Sequence, residues 1–196
     1  MIKSIVFDMG NVLLDYNPEV PLNKFCQSEE AKDIIRRELF GGPEWVQLDL
    51  GNITVEQAYN SISSRIPEKY HSELKECIYK WDICMVPLEG AKEFLQYVKT
   101  NEYKIFILSN AHKSFYEYFP RAIDLNIFDG VVVSADIHAV KPDKKIYEYI
   151  LDKYSLNPAE CLFIDDRADN VAGATAAGMN AFQFKNDFEA VKNILK

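Results

Sequence analysis

Continuous apolar runs rich in Val, Ile and Phe recur along the chain at residues 3–8 (KSIVFD), 104–109 (KIFILS), 130–134 (GVVVS) and 161–165 (CLFID). These runs do not alternate apolar with polar, so each predicts a strand buried on both faces of a sheet. Residues 180–184 (NAFQF) predict a weaker fifth strand. Helical patterns separate the last four runs, with Pro142 at a first-turn position and Gly178 at a C-terminal stop. Strands alternating with helices predict βαβ units, and therefore an α/β fold with a parallel sheet.

The first two runs lie too far apart for a simple crossover, and residues 16–86 between them carry hardly any strand signal. Asn17-Pro18 opens one helix and Ser28-Glu29-Glu30 another, while Thr54-Val55-Glu56-Gln57 has the form of a capping box before a third. Residues 68–83 predict a fourth, and Gly41-Gly42-Pro43 and Gly51-Asn52 supply the breaks. The expected organisation is a core of residues 1–15 and 87–196, with a small helical bundle, residues 16–86, inserted after the first strand.

Composition narrows the partners. At 196 residues, 48% of them hydrophobic, the chain can bury a core without disulfides. Its formal charge of −8 argues against a nucleic-acid or anionic-membrane partner, since both select positive surfaces. Charged residues interrupt every apolar run before it reaches membrane-spanning length. Cys26, Cys77, Cys84 and Cys161 form no C-x-x-C pair and no zinc-like spacing with His. With no leader-like segment ahead of the first strand, the expectation is a cytoplasmic protein with reduced thiols. Monomer and homodimer stay open.

Polar residues cluster where the chemistry of a parallel sheet is found. Asp8, Ser109, Ser134 and Asp165 each close an apolar run, and ligands of such sheets bind beyond the C-terminal strand ends. Asp8, Asp165 and Asp166 would bring three carboxylates to one crevice, where uncompensated like charges are costly. A divalent cation relieves that cost, and an all-oxygen donor set favours Mg²⁺ over zinc. Lys141 would add a positive charge to the same rim. Such a site suits a phosphate ester.

The order of these residues resembles a known family. Phe7-Asp8-Met9-Gly10-Asn11-Val12, Leu108-Ser109-Asn110, Lys141-Pro142 and Phe163-Ile164-Asp165-Asp166 through Asn170 follow the four motifs of the haloacid-dehalogenase superfamily. The insertion resembles its C1-type cap, and the Asp-x-Gly-Asn-Val form resembles its small bacterial sugar-phosphate phosphatases. The resemblance implies a Rossmann-like parallel sheet of order 3-2-1-4-5. It implies that Asp8 is a nucleophile forming an aspartyl-phosphate on a small phosphorylated metabolite, a sugar phosphate such as a hexose 1-phosphate. Mg²⁺ would be held by Asp8, the Gly10 carbonyl and Asp166, with Asp165 as auxiliary ligand. Ser109 and Lys141 would hold the phosphoryl oxygens, Asn110, Met9 and Gly10 would contact substrate, and Asn170 would orient the last loop.

One departure stands out. Phosphatases of this superfamily usually carry a second Asp two residues after the nucleophile, serving as acid and base, and this chain has Gly10 there. Losing a positioned acid costs about 10²–10⁴-fold in rate. Either Asp15 or His112 substitutes, or only activated leaving groups react, or catalysis is vestigial. The rival readings are a weakly catalytic phosphometabolite-binding protein and a haloacid dehalogenase, the latter disfavoured by the paired Asp165-Asp166. Blander readings exist for single residues: Lys141-Pro142 as a helix entry, Asp165-Asp166 as helix-start acids, and Trp45 and Trp81 as bundle core.

Overall fold

The computed structural model describes residues 1–195. Strands β1 (Ser4–Phe7), β2 (Lys104–Ser109), β3 (Gly130–Val133), β4 (Cys161–Asp165) and β5 (Asn180–Gln183) form one parallel sheet. Its order is β3-β2-β1-β4-β5, as the family resemblance implies. Central β1 pairs Phe7 with Ile107 on one side and with Ile164 on the other. Asp8, Ser109 and Asp165 therefore leave the sheet together at one edge.

Between β1 and β2 lie α1 (Glu19–Phe25), α2 (Glu29–Ile35), α3 (Pro43–Asp49), α4 (Val55–Ser63) and α5 (His71–Lys80). Local signals place most of these boundaries. The Ser28 side chain accepts from the Ala31 amide, and Thr54 and Gln57 complete a reciprocal capping box. Where the sequence showed only a break at Gly41-Gly42-Pro43, the structure starts α3, with Pro43 in the first turn. The fourth predicted helix is shorter than residues 68–83. It is α5 flanked by 3-10 turns at Glu68–Tyr70 and Trp81–Cys84. Leu22, Ile35, Leu48, Ile62, Leu74 and Ile78 pack into a cluster belonging to this segment alone.

The remaining helices are α6 (Ala91–Thr100), α7 (Phe115–Ala122), α8 (Ser134–Ile137), α9 (Lys144–Lys153), α10 (Ala168–Ala176) and α11 (Phe188–Leu195). Ser134 opens α8 instead of ending β3. Pro142 precedes α9 rather than occupying its first turn, because Asp143 caps that helix by accepting from the Lys145 amide at 3.0 Å. Side chains alternate across the sheet. Ile5, Phe7, Ile105, Ile107 and Ile164 pack with Phe94, Phe115 and Val191 on one face. Val6, Phe106, Leu108 and Phe163 pack with Ile146, Ile150 and Ala174 on the other. Both faces are covered, which explains the uninterrupted apolar runs. All four cysteines are free and buried. Among the described residues no helix is long and apolar enough to cross a membrane.

Candidate active site

Asp8 follows the last residue of β1, its amide donating to the Ile164 carbonyl at 2.9 Å. The chain then turns sharply, with the amides of Leu13 and Leu14 both donating to the Met9 carbonyl. Asn11 sits in this turn at φ 55°, a left-handed conformation that Asn tolerates better than most side chains. Its amide donates to Asp166 Oδ2 at 3.2 Å while its carbonyl oxygen accepts from the Tyr16 amide. One side chain thus ties the first loop to the last.

Lys141 is the centre of charge. Its Nζ lies 2.7 Å from Asp8 Oδ1 and 2.7 Å from Asp165 Oδ2, and the residue is only 4% exposed. Asn110 holds it there by its backbone, donating to the Lys141 carbonyl at 3.0 Å and accepting from its amide at 2.7 Å. Asn170 donates to both oxygens of Asp165, and the Arg167 amide donates to Asp165 Oδ1. The Met9 amide donates to Asp8 Oδ1 at 2.7 Å. Ser109 Oγ is buried and makes no hydrogen bond with any described residue.

Asp8, Asp165 and Asp166 each offer an oxygen within 4.8 Å of the others, with Lys141 the one ammonium between them. Burial pushes the Asp8 carboxyl up to about 7, and Asp165 adds to this while Lys141 works against it. Desolvation raises Asp166 too. Burial alone would lower Lys141, but the charges of Asp8 and Asp165 outweigh it and leave the ammonium raised.

Above these groups opens a cavity of about 530 Å³. Asp8, Met9, Gly10, Asn110, Lys141, Asp166 and Asn170 line its floor, and Tyr16, Phe40, Trp45, Asp49 and Trp81 come from the helical segment. Ser109 and Asp165 lie just behind this lining. Trp45 packs edge-on to Trp81 at 5.2 Å between ring centres, and the His112 imidazole sits against both. Burial lowers His112 to about 4, so its ring is neutral at pH 7. Among the cavity groups that the sequence reading did not assign are Asn11 and Asp49. Asn11 carried a signal as part of the first motif, whereas Asp49 ends an ordinary amphipathic helix and carried none.

Residues 2–178 match the model of the haloacid dehalogenase-like hydrolase family. The chain belongs to that family. Sesquiterpene phosphatase astK of Aspergillus oryzae is 28% identical over 178 residues, covering 90% of this chain and 87% of that protein. Drimenol cyclase drtB of Aspergillus calidoustus is 25% identical over 99% of this chain, which spans only 36% of the cyclase. A family enzyme from Bacteroides thetaiotaomicron, solved with magnesium and inorganic phosphate, shares the fold of this hydrolase. Its TM-score is 0.77 at 19% identity, covering 97% of this chain and 99% of that one.

Proposed function

We propose that this hydrolase is a magnesium-dependent phosphomonoesterase working through an aspartyl-phosphate on Asp8. The observation that carries the reading is the floor of the cavity, where three carboxyls converge on a single buried ammonium at the strand ends. That donor set fits a hard divalent cation. It is all oxygen, it is under-compensated in charge, and Asp8 is forced upward when no further cation is near it. Asp8, Asp166 and the Gly10 carbonyl would hold Mg²⁺. Asp165, whose oxygens already serve Lys141, Asn170 and the Arg167 amide, suits a supporting role. Magnesium, when bound, supplies charge neutralisation that lets an anionic carboxylate approach a phosphoryl group.

The chain's own groups do the rest. The Asp8 oxygen attacks phosphorus and later leaves it, splitting one displacement into two. Lys141 and the unpaired Ser109 hydroxyl stabilise charge on the phosphoryl oxygens in both. Asn110 keeps Lys141 aimed, and residues 16–86 act as a cap that closes over the leaving group. Lys141 and Arg167 are the cations lining the cavity among the described residues, and both are engaged, by Asp8 and Asp165 and by Asp169. No cation is left for a second anionic group, which favours an uncharged leaving group such as a sugar. Four buried free cysteines suit a reducing, cytoplasmic setting.

Phosphate release from a panel of sugar phosphates, with and without chelator, tests this reading alongside Asp8→Asn. Metal-dependent release that disappears in Asp8→Asn supports it. Metal-free dehalogenation of a 2-haloacid, or saturable phosphoester binding without turnover, would replace it.

A further inference from the structure

Position 10 is a glycine, so the first loop offers no carboxyl to protonate a leaving group. Neither substitute suggested by the sequence fills the gap. Asp15 does not line the cavity. Burial against Trp45 and Trp81 keeps His112 neutral, and a neutral imidazole N–H is far too weak an acid.

The opposite wall does present a carboxyl. Asp49 is the last residue of α3 and lines the same cavity as Asp8, Lys141 and Asp166. The chain at residues 49–51 is fastened to the core at three points. Ser134 Oγ, at the start of α8, donates to the Asp49 carbonyl at 2.5 Å while accepting from the Ala111 amide at 2.9 Å. His138 Nδ1 lies 2.8 Å from the Leu50 carbonyl, so the ring donates there. Gly51, at φ +67°, sits so close to α8 that a Cβ would come within 2.4 Å of the Ala135 carbonyl. One hydroxyl therefore links the segment after Ser109 and Asn110 to Asp49.

The Asp49 carboxyl itself accepts no hydrogen bond from any described residue. Asp49 is half-buried, and its oxygens are open to the cavity instead of being tied to a protein donor. Its electrostatic neighbours are Lys141, Tyr16 and Tyr118. Tyr118 also senses Asp8, and its hydroxyl reaches Met9 Sδ at 3.5 Å. Asp49 and Asp8 thus line one cavity and act electrostatically on the same two groups, Lys141 and Tyr118. Desolvation, opposed in part by Lys141, lifts it to about 7, so both protonation states are populated at neutral pH.

We propose that Asp49 is the general acid and base of this phosphatase, supplying from the helical segment the carboxyl that position 10 lacks. The assignment rests on the phosphatase reading above. In the first step the Asp8 oxygen bonds to phosphorus, the bond from phosphorus to the leaving oxygen breaks, and protonated Asp49 gives that oxygen its proton. The products are an alcohol, phosphorylated Asp8 and an Asp49 carboxylate. In the second step this carboxylate takes a proton from water as the water oxygen bonds to phosphorus. The bond to Asp8 breaks, phosphate departs, and Asp8 carboxylate and protonated Asp49 are restored.

The test compares kcat/KM for alkyl phosphates and for 4-nitrophenyl phosphate, whose leaving group needs no proton, all with saturating Mg²⁺. Asp49→Asn should slow the alkyl esters by about 10²–10⁴-fold and the aryl ester by less than about tenfold. Asp49→Ala must show the same split, which keeps the test open if the amide perturbs the loop. Adding Gly10→Asp to Asp49→Asn should recover alkyl turnover. A Cβ at Gly10 meets only Tyr16 Cβ, at 3.6 Å, and residue 10 is outside the left-handed region. Equal slowing of both ester classes, or unchanged alkyl turnover, would overturn the role of Asp49 while leaving the phosphatase standing. Wild-type protein that releases phosphate from neither class, or Asp8→Asn that still releases it, removes the phosphatase reading and the acid with it.

Discussion

On the core side of the cavity Lys141 bridges Asp8 and Asp165 at 2.7 Å each, and Asn170, Asn11 and backbone amides add hydrogen bonds to Asp165, Asp166 and Asp8. On the facing side stand the rings of Tyr16, Trp45 and Trp81 and one carboxyl, Asp49, that no described residue bonds. The first wall is closely knit, with the Ser109 hydroxyl left unpaired among the described residues. It suits a group that never varies, the phosphoryl group, whose charge must be met at fixed points. The second wall offers apolar area and a single polar handle, and suits the part of a substrate that does vary. On the proposed reading the core would direct attack on phosphorus, and the helical segment would select what leaves.

Variants on the two walls should therefore fail differently. The largest effect belongs to Asp8→Asn, which should cut turnover on every phosphoester by on the order of 10⁴-fold or more. Its thermal midpoint should barely move, because Lys141 keeps its contact with Asp165. An effect confined to some substrates would place the nucleophile elsewhere.

Lys141→Met should be the most damaging to stability. It leaves Asp8 and Asp165 as buried carboxyls without their counter-cation, a loss of about 3–5 kcal/mol by denaturant unfolding. Added Mg²⁺ should restore part of that loss. No recovery would mean that the carboxyl cluster does not hold the ion.

The pH dependence of stability separates the walls without any turnover assay. Asp8 and Asp49 are each raised from 3.8 to about 7, so the folded state retains protons that the unfolded state has released. Each contribution is complete below about pH 4, declines as pH rises toward about 7, and is flat above. Asp49→Asn should remove its share of that decline whether or not Mg²⁺ is present. The Asp8 share should shrink in Mg²⁺, because a bound cation offsets the same charge. Denaturant midpoints across this range, taken as differences from wild type, check both.

The smallest effect is expected at Trp45, which touches Phe40, Tyr16, Trp81 and His112. Trp45→Ala should reorder sugar phosphates by about tenfold while leaving 4-nitrophenyl phosphate nearly unchanged. Uniform slowing would make Trp45 simple packing.

The two walls also differ in how far the sequence reveals them. The strands and the positions of Asp8, Ser109 and Asp165 were legible because apolar runs buried on both faces end abruptly in polar residues, whereas the sheet order and the place of Lys141 came from the family resemblance. Parallel topology then brings those ends together. Asp49 was not legible, because its place depends on how α3 docks against α8. Ser134 was noticed only as a strand-end hydroxyl, yet it opens α8 and clasps the Asp49 carbonyl. His112 looked like a spare proton carrier until the tertiary fold buried it against two tryptophans. Glycines 41 and 42 marked a break but concealed the helix that begins at once after them.

The most direct test of the account is to trap the covalent intermediate. Wild-type protein is mixed with a phosphate ester labelled on phosphorus, in Mg²⁺, and quenched in acid within a single turnover. The account predicts label on the peptide containing Asp8, absent after chelation and absent in Asp8→Asn, and more persistent in Asp49→Asn with an aryl ester, where the base for the second step is missing. Phosphate released at the full rate with no label on the protein would contradict it.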